Sequence, residues 1–179
     1  MRVHVLHLRV GGERYALPTA HVVEVVPAVA LRSVPDTPPE VAGLLSYRGQ
    51  IVPVVDLARR LGRAPAPAAL STRIVVCERA LDTLSTGPAS GSLTGDRRLL
   101  GVLAGDITRV GELDPEAAGS HPGPRPEGRS ALGRVTFDAD GLVQLVSLEG
   151  LLGPDLLARL DGAAADVAEA ERVAAEGAA

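Results

Sequence analysis

Two segments in the first half of this sequence recur in its second half, in the same order. Residues 16–25 (ALPTAHVVEV) align without gaps on residues 101–110 (GVLAGDITRV), and residues 51–62 (IVPVVDLARRLG) align on residues 142–153 (LVQLVSLEGLLG). A solenoid needs more copies of a shorter repeat, so that class of fold is excluded. Chance similarity between β-rich segments is the alternative explanation. The repeat predicts two similar β-modules in tandem.

The chain consists largely of short β-branched segments that Gly and Pro separate, a pattern typical of small barrels or a sandwich. The segments that favour strands are 3–10, 14–18, 20–27, 50–57, 73–80, 98–105 and a hairpin over 133–148 about an Asp-Ala-Asp-Gly turn. A Pro-rich connector is predicted at 33–40, and loops at 85–96 and 114–130. We therefore place one module at about residues 1–70 and the other at about residues 71–153.

The C-terminal residues 154–179 begin as an amphipathic helix with Leu156, Leu157 and Leu160, and then become rich in Ala and Glu. Few large apolar side chains follow, so the end of this segment has little with which to dock. We expect one domain over residues 1–153, followed by a short helix and a frayed, partly disordered tail.

Charge and composition exclude several classes of function. The net charge is −4 and only three residues are aromatic (two Tyr and one Phe), so neither a basic field nor a base-stacking platform for nucleic acid is present. Cys77 is the only cysteine, which excludes an intrachain disulfide and fits a reducing compartment. The N-terminus lacks a signal-peptide pattern, and no apolar stretch approaches the ~18 residues of a membrane span. A cytoplasmic protein with no nucleic-acid partner and no membrane insertion is expected.

The sequence shows no pattern of catalytic or metal-binding residues. His4 and His7 lie three residues apart on a predicted strand, so their side chains face opposite sides and cannot share a metal. No Gly-x-Ser-x-Gly elbow is found. Asp56 follows an apolar strand and is either a lone catalytic carboxylate or, as we favour, a turn cap. We expect no catalytic site, no metal and no cofactor.

The segment GLLSYRGQIVPVVDLARRLG at residues 43–62 places an arginine before an apolar strand and a proline inside it. A proline cannot donate to a sheet ladder, so Pro53 is expected at an edge, a bulge or a barrel rim. Exposed β-edges are places where another chain can bind. Glu24 lies in the apolar segment VVEVV. Either it faces water, or it pairs with Arg48 and fixes two strands at a recognition surface.

Residues 35–62 (PDTPPEVAGLLSYRGQIVPVVDLARRLG) resemble the signature region of the CheW-like family, the coupling proteins that join chemoreceptors to the histidine kinase CheA. In that family a Pro-containing loop leads into a Gly-x-x-Asn-x-Arg-Gly turn and a strand of Ile/Val-Pro-Val-Val-Asp-Leu type. The likeness extends over about residues 3 to 153, and Glu24 falls on the family's usual Glu. The matching positions of the signature are Gly43, Arg48, Gly49, Pro53, Asp56 and Leu57.

The resemblance implies two five-stranded SH3-like β-barrels side by side, in agreement with the repeat. It also implies a noncatalytic adaptor that docks on the regulatory domain of CheA through apolar surface and receives the tip of the receptor's cytoplasmic hairpin near the junction of its barrels. The receptor-side residues that it implies are Val22, Glu24, Gly43, Arg48 and Gly49. The kinase-side residues that we place beside them are Ile51, Pro53 and Val54.

The sequence departs from the family pattern at Ser46, which replaces the usual Asn of the turn, and at Gly105 and Ser147, where the second module usually has Asp. Two other functions therefore stay open. A diverged CheW-like regulator of another output, such as motility or gene expression, would bind the kinase alone or the receptor alone. A small β-barrel enzyme or ligand-binding module would use a cleft between the modules, lined by convergent ionisable residues.

Overall fold

The computed structural model describes residues 1–79, 98–116 and 132–177. The strands in these ranges are β1 (Val3–Val10), β2 (Glu13–Pro18), β3 (Val22–Pro27), β4 (Val41–Tyr47), β5 (Gln50–Asp56), β6 (Arg73–Arg79), β7 (Arg98–Ala104), β8 (Asp106–Leu113), β9 (Leu132–Asp138) and β10 (Gly141–Val146). The α-helices are α1 (Leu57–Arg60) and α2 (Pro154–Gly177), and a one-turn 3-10 helix covers Thr19–His21. The loop predicted at 85–96, and most of that at 114–130, lie outside the described residues.

The strands form two five-stranded sheets. The terminal sheet has the order β8-β1-β2-β10-β9, and the central sheet has the order β3-β6-β7-β5-β4. Neighbouring strands are antiparallel except in the pairs β2–β10 and β5–β7, which are parallel. The expected all-β fold of two five-stranded units with a C-terminal helix is confirmed.

The internal repeat is visible in the topology. Each of the strands β1–β5 has a counterpart five places later, in β6–β10. If every strand of the terminal sheet is replaced by its counterpart from the other half, the result is the strand order of the central sheet. The parallel pair β2–β10 then corresponds to the parallel pair β7–β5. Each half nevertheless gives strands to both sheets, because the hairpin β1–β2 lies among strands of the second half and β6–β7 among strands of the first. The sheets therefore do not coincide with the predicted segments 1–70 and 71–153.

Two strands, β4 and β8, were not predicted from the sequence. β4 contains Gly43 and Ser46, which interrupt its apolar pattern, and most residues of β8 are exposed. Both are edge strands whose pairing with a neighbour determines their conformation. The intrinsic β-propensity of these residues was therefore too weak to predict either strand from the sequence.

Within the described ranges, three apolar clusters stabilise the sheets. The main cluster gathers side chains of both sheets, such as Leu17 and Val102, and so lies between them. A second cluster belongs to the central sheet and includes Val54. A third belongs to the terminal sheet and includes Val143. Because β5 is buried on both faces, with Val54 in the second cluster and Val55 in the main one, its sequence is a continuous apolar run.

Pro53 lies in an inner strand, since β5 runs between β4 and β7, so of the three expected positions the sheet edge is excluded. The bulge between β4 and β5 lies opposite Val54 and Val55 and does not involve Pro53 directly. The parallel ladder with β7 begins only at Val54. A proline is tolerated here because it lies just outside that ladder, to which it could not donate.

The helix α2 continues through the Ala/Glu-rich segment that the sequence predicts to fray. Leu160 is fully buried in the main cluster. Asp161 accepts hydrogen bonds from Arg79 and Arg98 at 2.7 and 2.6 Å. Ala and Glu are strong helix formers, so the anchored helix extends to Gly177 although residues 169–177 are exposed. No described helix combines the length and hydropathy that crossing a membrane requires.

Asp161→Ala is expected to lower the free energy of unfolding by about 1–2 kcal/mol. Arg79 and Arg98 are register partners on β6 and β7, so without the carboxylate two like charges face each other. Urea unfolding measures the change. The control, Glu169→Ala, removes an exposed ion pair with Arg172 and is expected to change stability by less than about 0.5 kcal/mol. Equal effects of the two substitutions would contradict the anchoring role of Asp161.

Candidate functional site

A two-residue turn joins β4 to β5 and presents Arg48 to solvent. Tyr47 and Gln50 are register partners, and the residues between them have positive φ, 49° at Arg48 and 77° at Gly49. Positive φ at both central positions is characteristic of a type I′ hairpin turn. Glycine adopts this backbone freely, whereas a residue with a Cβ does so at a cost of about 1–2 kcal/mol. The turn leaves the Arg48 side chain 72% exposed.

Glu24, Tyr47 and Arg48 form what we call the edge cluster, which joins the two edge strands of the central sheet, β3 and β4. The Tyr47 hydroxyl donates to Glu24 Oε2 at 2.5 Å, and Arg48 Nη2 donates to the same oxygen at 2.8 Å. The Arg48 guanidinium carbon lies 5.3 Å from the centre of the Tyr47 ring, within the range of a cation–π contact. The alternative in which Glu24 pairs with Arg48 is therefore confirmed. Its role in recognition stays a prediction.

The edge cluster extends from the interior of the central sheet to its surface. Tyr47 is only 9% exposed and belongs to the same apolar cluster as Leu45 and Val52, whereas the Glu24 side chain is 37% exposed. The hydrogen bond to the Glu24 carboxylate raises the pKa of Tyr47. An exposed ion pair contributes only about 0–1 kcal/mol to stability. The cluster therefore fixes geometry more than it stabilises the fold.

The other receptor-side candidates are divided between surface and interior. Gly49 is exposed in the turn, and Val22 is half-buried against the main cluster. Gly43 is buried, with φ of 141°, and a Cβ there would lie 2.6 Å from the carbonyl oxygen of Arg32. The missing side chain lets the backbone of Arg32 pair with that of Leu44. Gly43 is thus a buried residue that allows two backbone segments to pair, and it offers no side chain to a partner.

Among the kinase-side candidates, only Ile51 is accessible. Val54 is 0% exposed in the central-sheet cluster, and Pro53 is buried. Side chains alternate along a strand, so Ile51 and Pro53 share the face of β5 that carries Val55. Leu160 of α2 belongs to the same cluster as Val55, and α2 packs against β5. The protein itself covers Pro53 and Val54. Their place near the kinase contact stays a prediction.

A second cluster, which was not predicted, lies at the equivalent place in the terminal sheet. Arg109 on β8 donates to Asp140 in the β9–β10 turn at 2.7 Å and to Asp138 on β9 at 3.4 Å. Arg14 on β2 also binds both carboxylate oxygens of Asp138. The gap-free repeat aligns Arg109 with Glu24, which is the signal that could have found it. This reversed cluster (Arg109, Asp138 and Asp140) repeats the edge cluster with opposite charges.

His7 is buried beneath the reversed cluster. Its Nδ1 lies 3.8 Å from Asp138 Oδ2, and within the described part of the chain neither ring nitrogen has a hydrogen-bond partner. Gly111 makes room for the ring, since a Cβ there would lie 3.0 Å from Nε2. Burial, together with the positive charge of Arg109, lowers the pKa of His7. The folded chain therefore favours the neutral imidazole.

Asp56 is a turn cap, as favoured from the sequence. Its carboxylate accepts hydrogen bonds from the backbone of Arg59 at 3.2 Å and of Ala66 at 3.0 Å, so it begins α1 and holds the connector that follows. Burial raises the pKa of the Cys77 thiol to about 12, which keeps it protonated. Over residues 1–79, 98–116 and 132–177, no group of three or more side chains could hold a metal ion.

The sequence model of one protein family, the CheW-like domain, matches residues 4–154. This range runs from the first strand to the start of α2 and contains both clusters. The chain belongs to the CheW-like family. In this CheW-like chain the edge cluster lies within the matched part, whereas nearly all of α2 lies beyond it.

Two curated relatives resemble part of this CheW-like chain. Protein FrzA of Myxococcus xanthus is 38% identical over 68 residues, which are 38% of this chain and 42% of the relative. Chemotaxis protein CheW of Helicobacter pylori is 31% identical over 67 residues, which are 37% of this chain and 41% of the relative. Each match therefore spans about two fifths of the relative's length.

A solved structure supports the fold of the CheW-like chain. The scaffolding protein TtCheW from Thermoanaerobacter tengcongensis matches with a TM-score of 0.66 at 22% identity. The match covers 86% of this chain and 89% of that chain. At this level of identity the likeness concerns architecture, and it agrees with the two five-stranded sheets described above.

Gly43→Ala is expected to lower the free energy of unfolding by at least about 2 kcal/mol, because the new Cβ would meet a backbone carbonyl and φ is positive. Gly49→Ala is the matched control. Its φ is also positive, but nothing lies within 4 Å of the added Cβ, so a loss of about 1 kcal/mol is expected. Urea unfolding measures both. Equal losses would show that the approach of Arg32 does not require Gly43.

The stability of the chain is expected to fall as the pH drops below about 6.5, the ordinary pKa of histidine. The pKa of His7 is lower in the folded chain than in the unfolded chain. At pH values between the two, the imidazole is protonated in the unfolded chain but neutral in the folded chain, so a falling pH favours unfolding. His7→Leu removes this titration and is expected to flatten the dependence of urea unfolding on pH from about 7.5 to 5. His4→Gln, at an exposed position, is the control and should leave the pH dependence of unfolding unchanged. If the stability of His7→Leu depends on pH as steeply as that of the wild type, His7 is not the group responsible.

Proposed function

We propose that this chain is a noncatalytic cytoplasmic adaptor that couples methyl-accepting chemoreceptors to the regulatory domain of a CheA-type histidine kinase in chemotaxis signalling. The observation that carries the proposal is the edge cluster, an ordered Glu24–Arg48 pair on the surface of the family-matched region. Two of the similar proteins support the same function by their names, since one is a chemotaxis protein CheW and the other, TtCheW, is a scaffolding protein.

The receptor side of the proposed adaptor centres on the turn between β4 and β5. Arg48 and Gly49 are exposed there, and Glu24 is held beside them by two hydrogen bonds. Interfaces of this kind depend on a few ordered anchors, among which arginine is enriched. Val22 and Gly43 contribute indirectly. Val22 packs against the main apolar cluster, and Gly43 leaves room for the backbone of Arg32.

The kinase side of the proposed adaptor lies at the start of β5. Ile51 is the accessible apolar residue there, and Pro53 and Val54 support it from the interior. The outer face of β3 adds exposed Val23 and Val25 to the apolar surface of the central sheet. Burial of apolar surface is the main source of affinity in stable protein interfaces, so these residues suit barrel-to-barrel docking.

Bridging two partners through one rigid body raises the effective concentration of each for the other. Because Ile51 follows the Arg48–Gly49 turn by two residues, the two proposed contacts lie on one hairpin. A change in the receptor that alters the turn would therefore reach the kinase contact through a continuous strand. Such a coupling requires no catalytic group.

A CheW-like regulator of another output, which binds one partner only, is the second candidate. The reversed cluster favours it, since the terminal sheet presents opposite charges at the place of the edge cluster. A ligand-binding module is disfavoured, because the main apolar cluster occupies the space between the sheets.

The proposal is tested by binding of the purified chain to two probes from the same genome, a CheA regulatory domain and a soluble cytoplasmic hairpin of a chemoreceptor. Arg48→Ala is expected to weaken receptor binding roughly tenfold and to leave kinase binding nearly unchanged. Ile51→Glu is expected to do the reverse, because it places a charge in an apolar contact. Arg172→Ala, at an exposed position of α2, is the control and should affect neither.

Binding of the folded wild type to neither probe would overturn the adaptor function. Binding to one probe only would favour the second candidate. Loss of both contacts in each variant, with intact folding, would contradict the division between receptor side and kinase side.

A further inference from the structure

Tyr47 occupies an unspecified position of the family turn Gly-x-x-Asn-x-Arg-Gly, so the motif itself gives it no role. In the structure it links the interior of the central sheet to the edge cluster. Its ring belongs to the same apolar cluster as Leu45 and Val52, and its hydroxyl donates to Glu24. A Phe ring would fill the same space without the hydroxyl. The hydroxyl must therefore serve the edge cluster more than the core.

The hydroxyl determines how Glu24 meets Arg48. Both donors use Oε2, so within the described ranges Oε1 of Glu24 has no hydrogen-bond partner. Arg48 makes its hydrogen bond through Nη2, which leaves other guanidinium N–H groups for further acceptors. An exposed arginine with a single ion pair samples many rotamers. The Tyr47 ring under the guanidinium and the second hydrogen bond on Oε2 restrict this motion.

We propose that Tyr47 is a positioning residue for the receptor side of the adaptor, a role that rests on the proposed function. It holds Glu24 and Arg48 in an arrangement that offers a carboxylate acceptor and guanidinium donors together. The complementary group on the partner both donates and accepts, as the primary amide of an Asn or Gln side chain does. Ordering the pair in advance reduces the conformational entropy lost at binding, which increases affinity.

The chain contains a matched control. On the terminal sheet the Tyr15 hydroxyl donates to Glu13 Oε2 at 2.7 Å, and Arg63 Nη2 lies 2.8 Å from the same oxygen. The chemistry is that of the edge cluster, in a place outside the proposed receptor contact. Tyr15→Phe therefore removes an equivalent hydroxyl without touching the proposed site.

Tyr47→Phe is expected to weaken binding of the receptor hairpin by roughly 3–10-fold. Binding of the CheA regulatory domain should stay unchanged, and the melting temperature should stay within a few degrees of wild type. Tyr15→Phe should leave receptor affinity unchanged. In the Arg48→Ala background, Tyr47→Phe should cause little further loss, because the hydroxyl acts through Arg48 and Glu24.

A spectroscopic measurement tests the contact in the absence of any partner. The chain has two tyrosines and no tryptophan, so Tyr47 is the only such chromophore in the Tyr15→Phe variant. Alkaline titration of its absorbance should give a pKa above the ordinary value of 10.0, as the hydrogen bond to Glu24 requires. Adding Glu24→Gln should lower this pKa and weaken receptor binding. Should Tyr47→Phe fail to fold, this second variant tests the same hydrogen bond.

The outcomes separate this inference from the proposed function. If the wild type binds the receptor hairpin and Tyr47→Phe binds it equally well, the adaptor function stands and the positioning role is overturned. Equal loss of both partners together with a large drop in melting temperature would also overturn it, since that pattern describes a purely structural residue. If the folded wild type does not bind the receptor hairpin, the receptor-side function itself fails.

Discussion

The fold depends on the insertion of a hairpin from each half of the chain between strands of the other half. In the terminal sheet β1–β2 lies between β8 and β10, and in the central sheet β6–β7 lies between β3 and β5. Each half therefore lacks some of the neighbours that its own strands need. The main apolar cluster also draws on both sheets, so each sheet is incomplete without the other. Such long-range pairing is expected to make the two units unfold together.

The same insertion creates the candidate site. Because β6 and β7 separate β3 from β5 and β4, the first half of the chain supplies both edges of the central sheet. Sheet twist and curvature bring these edges together, so that Glu24 on one meets Tyr47 and Arg48 at the end of the other. Residues more than twenty positions apart thus meet because of strands that the second half contributes.

Much of this arrangement could be predicted from the sequence. Alternation and β-branching gave most of the strands, the repeat gave two similar units, and one acidic residue in an apolar strand suggested the pair of Glu24 with Arg48. Hairpin exchange could not be predicted, since a repeat fixes the order of the strands and says nothing about which copy of each pairs with which. The burial of Pro53 and Val54 was missed, although a continuous apolar run such as that of β5 is typical of a strand covered on both faces. Tyr47 was missed because its ring resembles an ordinary core residue and only its hydroxyl reaches the surface.

The two clusters join the edge strands of their sheets with the charges reversed. In the central sheet the edge strand carries the acid and the turn carries the base, and in the terminal sheet Arg109 lies on the edge strand and Asp140 in the turn. Both arrangements join the edge strands of a sheet through opposite charges, and the two sheets place the acid and the base on opposite partners. The terminal sheet adds a second arginine and a buried His7 beneath its cluster, whereas the central sheet uses a single tyrosine hydroxyl and leaves Arg48 largely exposed. A positive-φ arginine in an exposed, weakly stabilising ion pair is a poor choice for stability alone. The sign and exposure of the edge cluster therefore agree with the receptor contact that we propose for it.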